Sequence, residues 1–317
     1  MNAPRTLRQA IVFFSDPDNA QRFMTELRWP DGKVRCPICN SEKVTYLANA
    51  RRWKCYAKHD RPKFTLKTGT TFEDSPLGLD KWLPAMWLIA NCKNGISSWE
   101  LHRALGVTQK TAWFMLQRIR LAMQDRSFGK IAGEFEADES FIGGLARNMH
   151  ADKKAKVTGT GGAGKAVVMG LLDRKTRKVR LMHVPNVQGE TLQGVVRKYV
   201  EGGSYVYSDA WVGYHGLDRD YVHNVIDHAE TYVKGNVHTN GIENFWSLLK
   251  RCLKGTYVSV EPFHLFRYLD EEAFRFNERE DNDAGRFVQV ASAVTGRRVT
   301  YKELTGKTES TAEPLPA

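Results

Sequence analysis

Four potential metal ligands near the N-terminal end constrain the fold of this chain more than any other feature. Cys36 and Cys39 are followed by Cys55 and His59, a C-x2-C…C-x3-H order that suits a tetrahedral zinc site with two ligand pairs. A segment this short cannot fold on an apolar core of its own, so bound metal would supply the folding energy. We therefore predict one structural Zn²⁺ within residues 35–68. Buried thiols beside a solvated His59 are the alternative.

The overall charge favours an anionic partner. The 317-residue chain carries a formal net charge of +11, and phosphate attracts such a surface without any sequence code. No apolar run approaches the ~20 residues that span a bilayer, and no secretory signal is recognisable at the N-terminus. We therefore expect a cytoplasmic, nucleoid-associated protein that has no membrane partner.

Helical periodicity dominates residues 78–125. Turn signals at 94–95 and 106–107 divide this stretch into three helices, which predicts an all-α helix-turn-helix unit. Thr108 is expected to cap the last helix, whose apolar face is backed by a polar one. That pattern is typical of a helix that enters the major groove, and also of an ordinary helix with a solvated face. The candidate DNA-binding residues are Lys110, Trp113, Gln117 and Arg120.

A mixed α/β core is predicted after residue 131. Period-two alternation over 134–138 indicates a strand, and more strands and helices follow. The expected strands are 166–172, 179–184, 205–208 and 221–226, and the expected helices are 188–200 and 241–253. The polar residues 144–165 predict a mobile loop. Its last part, 159–165, nearly matches a phosphate-binding loop, but a strand beginning at Ala166 follows where a helix is needed, so no nucleotide cofactor is expected.

Two aspartates at strand ends and a glutamate on a helix form the candidate active site. Asp138 and Asp209 each close a predicted strand, and Glu243 lies in the first turn of a predicted helix. Such carboxylates can converge on two divalent cations, Mg²⁺ or Mn²⁺, which stabilise the attacking and leaving oxygens in phosphoryl transfer. Lys250 follows Glu243 by two helical turns, so it is expected on the same face, near a phosphate.

Three neighbouring residues leave the ligand set open. Glu136 and Glu139 flank Asp138 and are rival ligands, although strand alternation is expected to turn both to the opposite face. Asn240 precedes Glu243 by one helical turn and is the alternative third ligand.

Six segments carry a resemblance to a known family: residues 36–39, 64–72, 110–120, 137–144, 208–214 and 238–251. In these segments the chain resembles the zinc-ribbon DDE transposases of bacterial insertion sequences. The resemblance implies a ribonuclease H-like catalytic domain with Asp138 and Asp209 as its two aspartates. It also implies N-terminal modules that recognise terminal inverted repeats. His59 departs from the family's commoner final cysteine, and some members use asparagine as the third ligand.

The sequence therefore predicts six segments and one function. The segments are an N-terminal helical lead (1–34), a zinc ribbon (35–68), the helix-turn-helix unit (78–125), an α/β (α+β) ribonuclease H-like catalytic core (131–260), C-terminal helices (261–300) and a disordered tail (301–317). The expected function is that of a DNA transposase, a homo-oligomer on DNA, that hydrolyses element ends and joins the 3′-hydroxyl to target DNA. The alternatives are a zinc-dependent DNA-binding regulator with an inactive core and a nuclease that does not join strands.

Overall fold

The computed structural model describes residues 3–126, 129–144, 162–226 and 238–306. The chain forms two compact units, one from Met1–Gln124 with Glu280–Ala317 and one from Asp125–Arg279. Among the described helices, none combines the length and apolarity needed to cross a bilayer. Most of the loop predicted over 144–165, like the end of the predicted tail, lies outside the described residues.

The described part of the chain contains helices and strands in both units. The helices are α1 (Leu7–Ser15), α2 (Pro17–Arg28), α3 (Leu79–Asn91), α4 (Ser98–Leu105), α5 (Gln109–Met123), α6 (Gly189–Tyr199), α7 (Asn240–Cys252), α8 (Leu265–Asn277), α9 (Asp283–Ser292) and α10 (Tyr301–Leu304). The strands are β1 (Val44–Leu47), β2 (Arg52–Cys55), β3 (Lys63–Phe64), β4 (Glu134–Ile142), β5 (Ala166–Asp173), β6 (Val179–Val184), β7 (Tyr205–Asp209) and β8 (Val222–Ile226).

Aromatic residues from both ends of the chain form the helical core of the first unit. Phe14 and Phe23 contact Phe287 of α9, and so does Trp87 of α3. The helices predicted over 261–300 are therefore divided: α8 packs beside β6 in the second unit, whereas α9 belongs to the first. The predicted N-terminal helical lead contains two helices, because Asp16 ends α1 and its side chain caps α2.

The segment with the four metal ligands folds as a small antiparallel sheet in the order β1-β2-β3. Its apolar core is slight. Trp53 is buried between Trp29 and Phe64, with ring centroids 5.5 and 5.7 Å apart, respectively. Such a core is too small to stabilise the sheet alone, as the sequence led us to expect.

Helices α3 to α5 occupy the stretch predicted as helix-turn-helix. Gly106 ends α4 with φ 62°, a left-handed conformation that favours glycine, and the Thr108 side chain caps α5 by accepting from the Thr111 amide. The two turns and the cap are as predicted from the sequence.

The polar face predicted for α5 needs correction. Gln117 and Arg120 are 0% and 1% exposed, so neither side chain can contact DNA in this conformation. Of the other two, Trp113 packs against a small apolar cluster and Lys110 lies over the Tyr301 ring. Helical periodicity could not predict the contacts of Trp113 and Lys110, because their partners include residues from the far end of the sequence.

A C-terminal segment covers part of α5. The Arg118 Nε donates to the carbonyl of Val299, and Leu121 packs with Val299 and Leu304. The tail predicted as disordered from residue 301 therefore begins instead with α10, which has a Thr300–Glu303 capping box.

The second unit is built on one mixed sheet in the order β6-β5-β4-β7-β8. Strands β4, β5 and β6 pair antiparallel, whereas β4, β7 and β8 pair parallel. One face packs against α6 and the other against α7 and α8. Each strand and helix predicted in this region is present, including the strand that follows the glycine-rich residues at 159–165.

Candidate active site and zinc site

The two predicted aspartates lie side by side on neighbouring parallel strands. The last paired residues of β4 and β7 are Glu136 and Tyr207. Asp138 and Asp209 each follow two residues later, so they lie level with each other on neighbouring strands that are about 4.8 Å apart where they pair. Asp209 ends β7 as predicted, but the prediction that Asp138 closes its strand is wrong, because β4 continues to Ile142 and pairs with β5 over that length. Because the side-chain period of a strand is two, both aspartates continue the same face of the sheet.

Two hydrogen bonds orient the carboxylate of Asp138. The Trp246 indole Nε1 donates to one oxygen at 2.9 Å, and the Glu139 amide donates to the other at 2.9 Å. Asp209 accepts a hydrogen bond of 3.1 Å from the Trp211 amide. Trp246 lies in a segment that carries the family resemblance, but the sequence alone did not assign it this contact.

The charges of this cluster repel one another. Burial, and after it the nearby carboxylates of Glu139 and Asp209, raises the pKa of Asp138 to about 7, against the lowering effect of the Trp246 hydrogen bond. Burial and Asp209 likewise raise the pKa of Glu139, although its bond with Tyr214 opposes them. A divalent cation bound here would reduce the repulsion between these negative charges.

Glu139 lies on the opposite face of the sheet from Asp138, as alternation predicts. Its carboxylate accepts a 2.7 Å hydrogen bond from the Tyr214 hydroxyl, which is fully buried against the α6 side of the core. Burial and the neighbouring carboxylates raise the pKa of Tyr214 well above its ordinary value, so this hydroxyl stays a donor.

Glu136 does not lie where it was expected. The prediction that alternation turns it away from Asp138 is wrong, since residues two apart in a strand share a face. Its side chain is fully buried, and its two oxygens accept hydrogen bonds from the Arg174 Nε at 3.0 Å and the Ile242 amide at 2.8 Å. Glu136 therefore fixes the start of α7 on the sheet.

The structure does not place the predicted third metal ligand, Glu243 or Asn240, in one cluster with the two aspartates. Among the described residues, one group of three or more His, Cys, Asp or Glu side chains could hold a metal ion. It is the cysteine–histidine cluster, whose ligand atoms all lie within 4.8 Å of one another. Glu243 instead accepts a hydrogen bond of 2.9 Å from the Thr239 hydroxyl. Asn240 and Lys250 are exposed on α7.

The packing of α7 nevertheless places Glu243 nearer to the aspartates than Asn240. Ile242 contacts Glu136 and Trp246 contacts Asp138, so α7 advances along β4 in the direction of the strand. Glu243 precedes Trp246 by one helical turn, whereas Asn240 precedes it by nearly two.

Gly170 makes the close approach of α7 possible. It pairs with Asp138 across β4 and β5, and a Cβ there would lie 2.8 Å from both Ile242 and Trp246. We expect Gly170→Ala to lower the free energy of unfolding by about 1–3 kcal/mol through overpacking. Denaturant-induced unfolding measures this change in the free energy of unfolding. Gly194→Ala on α6, where a Cβ meets nothing within 4 Å, should instead stabilise by about 0.4–1 kcal/mol. Equal effects of the two substitutions would contradict this packing.

The four zinc-ligand candidates come together as predicted. Cys36 Sγ lies 3.5 Å from His59 Nε2, and Cys39 Sγ lies 3.7 Å from Cys55 Sγ. Tetrahedral zinc would place such sulfur–nitrogen and sulfur–sulfur pairs about 3.6 and about 3.8 Å apart. The donor set and its spacing therefore fit zinc, with His59 as the fourth ligand.

Comparison with known proteins gives these two sites a context. A family model described as "ISXO2-like transposase domain" matches residues 130–277, and one described as "Transposase zinc-ribbon domain" matches residues 15–59. The chain is 27% identical over 254 residues to the "Uncharacterized protein in transposable element ISH50" of Halobacterium salinarum, covering 77% of this chain and 85% of that relative. It is 36% identical over 104 residues to an "Uncharacterized transposase-like protein" of Haemophilus influenzae, covering 32% of this chain and 84% of that relative. The chain belongs to the transposases.

The two family matches cover both sites. In this transposase the zinc-ribbon match extends to His59 and so includes all four ligands, which supports a structural zinc. The transposase-domain match includes Asp138, Asp209 and the whole of α7. Together with the zinc ribbon, this domain implies DNA binding.

Proposed function

We propose that this transposase cuts the ends of an insertion sequence and joins the freed 3′-hydroxyl to target DNA. The observation that carries the proposal is the pair of carboxylates, Asp138 and Asp209, which lie level with each other on adjacent parallel strands and close enough to repel. Carboxylate oxygens are the ligands that Mg²⁺ and Mn²⁺ take in such sites. A bound pair of these ions would stabilise the attacking and leaving oxygens of phosphoryl transfer.

The chain's own residues would hold and orient this site. Asp138 keeps lone pairs for a cation beyond the two that accept from Trp246 and the Glu139 amide. Glu243 is the proposed third ligand, and it would exchange its hydrogen bond with Thr239 for the metal. Asn240 remains the alternative ligand.

Lys250 is the proposed phosphate contact. It is exposed one helical turn beyond Trp246, which contacts Asp138, so its ammonium group can bind a DNA phosphate near the carboxylates.

The N-terminal modules are proposed to bind the terminal inverted repeats. The zinc ribbon (35–68) and the helical unit (78–125) would provide this surface, and the sheet domain (131–260) would be a ribonuclease H-like core. The burial of Gln117 and Arg120 restricts direct contact by α5 to its first turns, where Lys110 is exposed. The N-terminal residues of a recognition helix are those that reach base edges.

Paired active sites follow from the proposed reaction. Cutting two element ends and inserting them together requires two catalytic sites, so we propose a homo-oligomer assembled on DNA.

One assay separates this function from its two rivals. Protein, Mg²⁺ and labelled element-end DNA are incubated with a plasmid, and the DNA is analysed for covalently joined products. We expect end-specific cleavage and joining. Cleavage without joining would indicate a nuclease, and binding that leaves the DNA intact would indicate a regulator with an inactive core.

Metal affinity should depend on pH through Asp138. Its pKa is raised from 3.8 to about 7, so the fold retains a proton that the unfolded chain releases from about pH 4. The free energy of unfolding therefore falls as pH rises from about 4 to about 7, and metal binding must displace that proton. We expect Mn²⁺ affinity, measured by calorimetry on zinc-loaded protein, to be about tenfold weaker at pH 6 than at pH 8. Equal affinities would contradict this, and Asp138→Asn should remove the binding.

A further inference from the structure

Arg174 lies at the centre of a half-buried polar cluster beside the carboxylates. It follows β5 directly, and its side chain is 13% exposed. Its Nε donates to Glu136 at 3.0 Å, and its guanidinium lies 3.7 Å from the centre of the Tyr207 ring. A second nitrogen donates to the backbone carbonyl of His238, just before α7.

The residues that Arg174 contacts lie close in sequence to the proposed metal ligands. Glu136 precedes Asp138 by two residues on β4, and Tyr207 precedes Asp209 by two on β7. The second oxygen of Glu136 accepts from the amide of Ile242, the residue before Glu243. One guanidinium thus connects the three backbone segments that carry the three proposed ligands.

The cluster leaves little freedom for these segments to shift. Glu136 is fully buried, and a Cβ at Gly241 would lie 2.7 Å from its carboxylate, so α7 and β4 are in direct contact there. A planar guanidinium donates in two directions while stacking on an aromatic ring, whereas a lysine ammonium is a compact point charge. Arginine is therefore the side chain that can make all three contacts at once.

We infer that Arg174 is a positioning residue that sets the spacing of the three metal ligands. This inference rests on the proposed function. Mg²⁺ demands near-ideal octahedral geometry and gives up water reluctantly. Mn²⁺ binds nitrogen and oxygen sites without that requirement, so a loosened ligand set should affect Mg²⁺ more than Mn²⁺.

The test compares the two metals in one variant. Arg174→Lys keeps the positive charge, and we expect Mg²⁺-supported joining to fall about 10- to 100-fold, as for residues that orient metal ligands, with a much smaller fall in Mn²⁺. The readout is the ratio of Mg²⁺ to Mn²⁺ activity, together with the same ratio of binding affinities measured by calorimetry without DNA, because a general loss of stability lowers the values for both metals alike. The matched control is Arg180→Lys on β6, two strands from β4, which should leave the ratio unchanged.

Glu136→Gln keeps the inference testable if Arg174→Lys does not fold. It retains an oxygen that can accept from Ile242 but removes the charge that Arg174 binds, and it should lower the same ratio. An unchanged ratio in the folded variants would overturn the inference. If wild-type protein lacks metal-dependent joining, or Asp138→Asn retains it, the proposed function fails and the inference with it. Joining that Asp138→Asn abolishes, with an unchanged ratio in the Arg174 variant, overturns the inference alone.

Discussion

Replacing Asp209 by asparagine should lower the rate of strand joining by at least about 10³-fold, the effect of losing several kcal/mol of metal-based stabilisation in the transition state. Asparagine has the same shape and can still accept the hydrogen bond from the Trp211 amide, so the turn after β7 should persist. What is lost is the negative charge needed beside Asp138 to hold divalent cations. The measurement is single-turnover joining of labelled element-end DNA to a plasmid.

Binding to the element end separates this effect from misfolding. Asp209→Asn should bind end DNA with wild-type affinity, because the proposed DNA-binding modules lie in the other unit of the chain. Asp218→Asn is the matched control: this aspartate is exposed on the same domain, outside the carboxylate cluster. Joining that survives in Asp209→Asn would refute the metal mechanism, and joining lost in both variants would show that the assay reports general damage.

Loss of one zinc ligand should unfold the three-stranded sheet. Structural zinc contributes about 10–16 kcal/mol of apparent binding free energy in small zinc modules, and the aromatic core around Trp53 is too small to replace it. We expect the Cys39→Ser variant to lose its bound zinc ion and no longer to bind element-end DNA. Zinc content by metal analysis and near-ultraviolet circular dichroism of the tryptophans measure the two effects.

A second cysteine provides the control for that experiment. Cys92 ends α3 and is not one of the four ligands, so Cys92→Ser should retain one zinc and bind DNA normally. Full zinc content in Cys39→Ser would contradict the assignment of the ligand set.

Local patterns in the sequence predicted much of the fold because they are set by neighbouring residues. Alternation predicted the start of β4, apolar runs bounded by turn residues predicted β5, β6 and β7, and the capping preference of Thr108 predicted the start of α5. Burial of Gln117 and Arg120 could not be predicted in this way. A polar face exposed to solvent and a polar face packed inside a domain have the same sequence pattern, and part of the packing of α5 comes from the segment near Val299, which is 181 positions from Arg118 in the chain.

The candidate site was predictable only in part for the same reason. Asp209 ends β7 as predicted, but β4 continues past Asp138 to Ile142, so the two aspartates lie level because of the register of the parallel pair and not because both strands end there. Glu136 needed only a consistent use of the two-residue period to be placed beside Asp138. Arg174 gives no local signal at all, since a single arginine in a hairpin turn is ordinary until the fold brings it under Tyr207 and beside Glu136.

In the proposed mechanism, Asp138 and Asp209 bind divalent cations against a DNA phosphate. The most direct measurement is an anomalous-scattering map from crystals of the transposase with element-end DNA and Mn²⁺. We predict Mn²⁺ peaks between the carboxylates of these two aspartates, with Glu243 or Asn240 completing the site, and no peak there in Asp209→Asn crystals. Ordered DNA at a wild-type site without such a peak would contradict the account.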